Sequence, residues 1–288
     1  MKKNKDMNYY FDTEFVEGTQ KGLFGTKTKP TIDLISIGVV AQDGREFYAI
    51  SKDFNLREAW NRHDLVINKQ FPCGGEYRKV YWIRENVLKS IWKELVEKEK
   101  AAACKFNKMG LGHMEVGSLP FTYSVLKKLL KKYGKTNEDI ATEIVAFVNH
   151  NISNVVSSIT RADCWNEKYY PKEFKYIESH NTFIPDQIYS SGTDGKGAQR
   201  NEEFIYNQPK FYAYYADYDW VVFCWLFGKM KDLPNGFPMY CNDLKQMMDE
   251  KGLDKDWKKK NCPDPKNAHN ALSDALWNVK LHSEILKK

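Results

Sequence analysis

A chain of 288 residues with 42% hydrophobic and 14% aromatic content can fill one large core or two small ones, and its 28% charged residues suit a water-facing surface. The formal net charge of +6 tolerates a polyanionic partner without demanding one. No run of 18 apolar residues occurs, which excludes a helical membrane span. The basic start Met1-Lys2-Lys3-Asn4-Lys5 has no apolar region after it, which argues against a secretory signal. None of the six cysteines stands in a Cys-x-x-Cys pair or other zinc spacing, so reduced thiols in a cytoplasm are expected.

The first legible element is Asn8-Tyr9-Tyr10-Phe11-Asp12-Thr13-Glu14-Phe15-Val16-Glu17, an aromatic and β-branched run that predicts a strand. Side chains alternate along a strand, so Asp12 and Glu14 share a face ~7 Å apart, where two carboxylates repel each other unless a cation lies between them. Hard divalent ions take such oxygen ligands. The pair alone is equally compatible with two solvated acids at a strand end.

A glycine-containing loop follows, then a second, buried strand at 31–40. Asp43-Gly44 marks a hairpin into a third strand at 45–50. Three strands joined by short turns predict an antiparallel meander opening a mixed sheet. From about 55 to 150 the pattern reads as helical: one helix from Val80 to about Lys100, an aperiodic loop over 101–120, then a helix from Phe121 to Tyr133. In the last of these, Lys127, Lys128, Lys131 and Lys132 form either a solvated face or a phosphate-tracking patch. Thr136-Asn137-Glu138-Asp139 opens a further capped helix.

Residues 151–208 are polar and aromatic. Their glycine run, Ser190 to Gly197, lacks the spacing of a phosphate-binding loop and reads as a flexible segment beside the site. Order returns with a strand at 211–216. Asp217-Tyr218-Asp219 stands at its end, before a buried helix from Trp220 to Phe227. A carboxylate at such a junction lies either where α/β folds place ligands or where it caps its helix. Met239–Lys251 predicts another helix, Lys255–Lys260 an exposed basic turn, and His269–Lys287 a final helix with His269 at its start and Asp274 within it.

Taken together, Asp12, Glu14, Asp219 and Asp274 with His269 supply four carboxylates and one imidazole from three separated elements. Two Mg²⁺ or Mn²⁺ ions ~4 Å apart could be bridged by such a set and clamp a phosphodiester. A neutral His269 suits proton abstraction from water, its ordinary pKa lying near ~6.5.

These residues also carry a resemblance. Phe11-Asp12-Thr13-Glu14-Phe15, Tyr218-Asp219 opening a helix, and His269-x-x-x-x-Asp274 resemble the three motifs of the DEDDh 3′–5′ exonuclease superfamily. Ile35-Ser36-Ile37-Gly38-Val39-Val40, Asp43-Gly44-Arg45-Glu46, Trp82-Ile83-Arg84 and His269-Asn270-Ala271-Leu272 make the chain most similar to its exoribonuclease AS family, whose members prefer polyadenylate-containing RNA. The likeness covers roughly 8–95, 136–149 and 209–286.

The resemblance implies an α/β, ribonuclease H-like fold with a mixed five-stranded sheet flanked by helices. It implies one exonuclease domain over 1–288, with two inserted segments near 96–135 and 150–208. It further implies that Asp12, Glu14, Asp219 and Asp274 bind two divalent metals, that His269 is the general base, and that single-stranded RNA 3′ ends are the substrate. Asp217 is the alternative to Asp219, which is preferred because it immediately precedes the apolar helical run. Phe15 is either a core residue or a contact to the terminal base, and Arg84 a contact to phosphate. A homodimer fits the resemblance. A DNA-directed exonuclease and a non-catalytic RNA-binding module are the other readings of the same chain.

Overall fold

The computed structural model describes residues 7–21, 27–67, 77–109, 116–148, 189–190, 199–200, 209–265 and 267–288. Strands β1 (Asn8–Lys21), β2 (Lys27–Ala41) and β3 (Glu46–Ile50) form the expected antiparallel meander, longer at its outer end than the sequence indicated. The turn before β3 has Gly44 at φ 88°, a left-handed conformation that glycine adopts without a Cβ clash. After a short helix α1 (Leu56–Asn61), the chain makes an outlying hairpin of β4 (Asp64–Ile67) and β5 (Tyr77–Val80).

A π-helical turn, Arg84–Leu88, leads into α2 (Lys89–Lys108), followed by α3 (Tyr123–Tyr133) and α4 (Asn137–Val148). Two-residue strands β6 (Tyr189–Ser190) and β7 (Gln199–Arg200) pair with each other. Then come β8 (Lys210–Ala213), α5 (Ala216–Trp225), β9 (Asn242–Asp243), α6 (Leu244–Glu250), α7 (Lys255–Asn261) and α8 (Ala271–Leu286).

The main sheet has the order β3-β2-β1-β8-β9, antiparallel through β1 and parallel from β1 to β9. It is therefore an α/β architecture with a mixed five-stranded sheet and flanking helices. The period of two along β1 sorts its side chains. Tyr9 and Phe11 enter a core with Ile37, Val39, Ile140, Ile144, Phe211, Trp220 and Phe223, between the sheet, α4 and α5. Val16, on the other face, joins Ile35, Ile50, Leu88, Ile91, Leu95 and Leu126, under α2 and α3. Helix α8 lies over β1 and β2, and also meets α6 through Leu244, Met248, Trp277, Leu281 and Ile285.

Two contacts lock α8 to the sheet. Asn278 Nδ2 donates to the carbonyl of Phe11 at 3.0 Å. Gly38 lets the backbone of α8 approach so closely that a Cβ there would stand 2.4 Å from Ala271 O and Leu272 N.

Several expectations are corrected. The loop read over 101–120 is helical to Lys108, because Ala101, Ala102 and Ala103 are strong helix formers that extend α2. The β4–β5 hairpin falls in a stretch read as helical; its strands have four residues each, too few for a clear period. Helix α5 begins at Ala216, so Asp219 lies in its first turn rather than at a strand end. The helix placed at Met239 begins at Leu244, where Asp243 caps it by accepting from Lys245 N at 2.6 Å. Lys255–Lys260 is not a turn but most of α7, capped by Asp254, which accepts from Trp257 N.

Within the predicted insertion near 96–135, α3 contributes Leu126, Leu129 and Leu130 to the core. The predicted insertion near 150–208 lies outside the described residues apart from the β6–β7 ladder, and its glycine run lies outside them apart from Ser190.

Candidate active site

Three carboxylates meet where β1 passes beneath the first turn of α8. Asp12 and Glu14 extend from the same face of β1, and Asp274 comes down from α8. One oxygen of each lies within 4.8 Å of the others. Opposite them on β2 are Gly38, across from Asp12, and Ser36, across from Glu14. A cluster of this kind could hold a metal ion: the donors are all oxygen, and such a set suits a hard divalent cation.

The electrostatics support that fit. Burial pushes the Asp12 carboxyl well above the usual range, and the charges of Asp219, Glu14 and Asp274 add to the rise. Glu14 is pushed up to about 8 by burial, then by Asp274 and Asp219. Asp274 rises to about 6 through burial, restrained by the backbone N–H groups of His269 and Asn270. Without a cation the cluster resists full ionisation; a divalent ion would reverse that preference.

Asp219 stands on the other side of β1. It is buried, and its Oδ1 accepts from Thr13 N at 2.9 Å and Thr13 Oγ1 at 2.5 Å. Burial raises it to about 7, while the two Thr13 bonds pull it back. Its oxygens are not among the three that converge within 4.8 Å. Its charge nonetheless acts on both Asp12 and Glu14. Asp217, by contrast, is exposed.

His269 immediately precedes Asn270, the cap of α8, whose side chain accepts from Ser273 N at 3.1 Å. His269 is held at φ 68°, a conformation uncommon for a side chain with Cβ, and its N–H donates to Asp274 Oδ2 at 2.8 Å. One carboxylate thus belongs to the acidic cluster and also anchors the histidine's backbone. The imidazole meets the Trp82 indole edge-on, ring centroids 4.7 Å apart, and burial lowers its pKa, which favours the neutral base.

Phe15 stacks on Tyr218 with centroids 5.9 Å apart and planes 16° from parallel, and it is packed at the edge of the core. Arg84 lies over the Tyr81 ring at 3.6 Å and the Trp60 ring at 5.4 Å, with Nε 3.4 Å from Glu85. It stands two residues from Trp82 and is not a member of the acidic cluster.

Sequence reasoning missed Thr13, Tyr218 and Trp82 as parts of this site. Thr13 had a signal: it lies between the two acids, so it must project from the opposite face of β1. Trp82 and Tyr218 stood inside motifs of the resemblance, but no role could be assigned to them, because their contacts come from residues more than 180 positions away.

No family model matches the chain. Two curated relatives do: 3′-5′ exoribonuclease Rv2179c from Mycobacterium tuberculosis (strain ATCC 25618 / H37Rv) and 3′-5′ exoribonuclease MT2234.1 from Mycobacterium tuberculosis (strain CDC 1551 / Oshkosh). Each is 40% identical over 80 residues, which is 27% of this chain and 42% of the relative. The chain thus spans less than half the length of the curated relatives it matches, and over that span it is similar to proteins named as exonucleases.

Proposed function

We propose that the chain is a metal-dependent 3′–5′ exoribonuclease of the DEDDh type on a ribonuclease H-like fold, most like the exoribonuclease AS family. It would release nucleoside 5′-monophosphates from single-stranded RNA 3′ ends. The observation that carries this reading is the convergence of Asp12, Glu14 and Asp274 within 4.8 Å, with His269 tied to Asp274 beside them. The similarity to relatives named 3′-5′ exoribonuclease supports the same reading.

Asp12, Glu14, Asp219 and Asp274 would hold two divalent ions, Mg²⁺ or Mn²⁺, which supply electrophilic stabilisation of the phosphodiester and lower the pKa of water. Four anionic side chains facing a polyanion make little sense for binding alone, which weighs against a non-catalytic module. His269, neutral because it is partly buried, accepts the proton of the attacking water. Its backbone is fixed by Asp274 and its ring is flanked by Trp82. Thr13 holds one oxygen of Asp219 and so orients the other. The stacked rings of Phe15 and Tyr218 offer a flat apolar face to the terminal base, a sequence-tolerant contact. Arg84, on its aromatic bed, supplies a fixed cation next to the site. The whole of 1–288 acts as one exonuclease domain in this reading, with the segments near 96–135 and 150–208 as additions to it.

The test uses 5′-labelled RNA, DNA of matched sequence and a polyadenylate strand, in Mg²⁺, Mn²⁺ or EDTA, with Asp12→Asn and His269→Ala proteins beside the parent. Metal-dependent shortening from the 3′ end, lost in both variants and faster on RNA, is expected. Faster shortening of DNA would move the substrate to DNA ends. RNA binding without cleavage by the parent protein would overturn the enzyme reading.

A further inference from the structure

The β4–β5 hairpin is unlike the rest of the fold. A two-stranded sheet with no covering layer is marginal in water, yet all four residues of β4 and three of the four in β5 are exposed. Leu65 is 60% exposed, Ile67 56% and Tyr77 64%. The register sets Leu65 opposite Lys79, Val66 opposite Arg78 and Ile67 opposite Tyr77. One face therefore carries Leu65, Ile67, Tyr77 and Lys79, and the other carries Asp64, Val66, Arg78 and Val80. The first face joins apolar surface to the cation of Lys79, whereas Arg78 shares its face with the carboxylate of Asp64; neither Arg78 nor Lys79 is in an ion pair among the described residues.

The root of the hairpin is fixed and points at the site. His63, just before β4, contacts the Tyr81 ring just after β5, with centroids 5.3 Å apart, and Arg84 covers Tyr81 at 3.6 Å. The next residue, Trp82, touches His269. At a strand rise of ~3.3 Å per residue, Lys79 lies ~10 Å of chain from Trp82 and Tyr77 ~17 Å. The hairpin thus begins beside His269, at the margin of the acidic cluster, and bears the exposed cations Arg78 and Lys79 and the exposed ring of Tyr77.

Resting on the exoribonuclease reading, we infer that this hairpin is an RNA-tracking arm: it binds the single-stranded segment on the 5′ side of the 3′-terminal nucleotide. Two features favour a nucleic acid as occupant. The first is charge: a polyanion entering a carboxylate cluster needs cations along its approach, and Arg78 and Lys79 supply them. The second is the mixture of side chains. On one face Lys79 lies beside Tyr77, with the aliphatic side chains of Leu65 and Ile67 across the ladder, which matches a phosphate beside a base, and stacking on an aromatic ring is tolerant of sequence. A consequence follows for length dependence. A dinucleotide would occupy the acidic cluster without reaching the arm, whereas a longer strand would engage it.

The test is binding of fluorescein-labelled RNA of two and twelve nucleotides, with phosphorothioate linkages that resist cleavage, to the full chain in Mg²⁺, followed by anisotropy across a salt series. The parent protein is compared with an Arg78→Gln/Lys79→Gln double variant and with Tyr77→Ala. The arm predicts that the double variant weakens twelve-nucleotide binding about tenfold at low salt and lowers the salt slope by about 1.4, or ~0.7 per lost phosphate contact on a single strand. Tyr77→Ala should weaken the same complex with no change of slope. Dinucleotide binding should stay at the parent level in both. Unchanged twelve-nucleotide binding, or an equal loss for the dinucleotide, would overturn the inference, as would conversion of a dimer to a monomer by the double variant, which would make the hairpin a subunit interface. Hydrolysis assays separate the two readings. If the parent cleaves RNA and the arm variants keep its length dependence, the arm alone fails; if the parent cleaves no RNA, the exonuclease reading fails.

Discussion

The ring of His269 rests edge-on against the indole of Trp82, centroids 4.7 Å apart and planes at 75°. The two residues are far apart in sequence and come from different elements: Trp82 leads into the π-helical turn before α2, and His269 precedes α8. Trp82 is 44% exposed, so its burial contributes little to the core and its contact with His269 is its main tertiary relation in the described residues. We expect Trp82→Ala to lower kcat about three- to tenfold, the equivalent of ~0.5–1.5 kcal/mol for an aromatic pair. Trp82→Phe should recover most of it. Single-turnover cleavage of a short RNA is the measurement; a Trp82→Ala loss confined to KM would remove Trp82 from the positioning of His269.

Thr13 fixes Asp219 with two hydrogen bonds to one oxygen. Thr13→Val keeps the shape and the backbone donor but removes the hydroxyl. Loss of a hydrogen bond to a charged group is worth ~1.5–3 kcal/mol, so Mn²⁺ affinity measured by calorimetry should fall about tenfold or more. Unaltered affinity would mean that Asp219 needs no such restraint to bind the ion.

Gly38 sets how closely α8 approaches β2. A Cβ at this position meets backbone atoms of Ala271 and Leu272 at 2.4 Å, and backbone cannot rotate aside. Gly38→Ala should therefore push the start of α8 off the sheet, moving Asp274 away from Asp12 and Glu14. Overpacking of this kind costs ~1–3 kcal/mol, read as a lower urea midpoint. The same variant should lose metal-dependent activity by more than its loss of stability accounts for. A stable, fully active Gly38→Ala protein would contradict the close approach.

The acidic cluster makes the metal-free protein sensitive to alkali. Glu14 and Asp219 are raised to about 8 and about 7, mainly by burial, and their unfolded-state values lie near 4. A folded-state pKa above the unfolded one gives stability that is complete below pH ~4 and is lost as pH rises through the folded values. Metal-free protein should accordingly lose thermal stability between pH 5 and pH 8. Added Mg²⁺ or Mn²⁺ should raise Tm more at pH 8 than at pH 5. Asp12→Asn, which removes one repelling charge, should raise the Tm of the metal-free protein at pH 8 while abolishing cleavage. Thermal scans in EDTA and in Mn²⁺ check all three; a metal-free Tm that climbs from pH 5 to pH 8 would reverse the sign of the argument.

Much of the scaffold follows from local pattern. The alternation of Tyr9, Phe11 and Thr13 with Tyr10, Asp12 and Glu14 specifies a two-faced strand, and Asp43-Gly44 specifies the hairpin that aligns β2 with β3. Thr136 and Asp139 announce α4 through reciprocal bonds between side chain and backbone N–H. These features depend on neighbours a few residues apart, which sequence reasoning can see. The β4–β5 hairpin and the edge strand β9 were less legible, since each is too short to show a period and is fixed by pairing or capping rather than by its own residues.

What the sequence determined by itself is the chemistry available: which acids, which imidazole and which strand face carries Asp12 and Glu14. What only the tertiary structure decided is their grouping. Asp274 joins Asp12 and Glu14 because Gly38 admits α8 against the sheet, whereas Asp219 is held across β1 by Thr13. The physical reason is that burial and mutual repulsion, which raise these carboxyl groups, arise from distances between elements that packing sets and that no stretch of sequence contains.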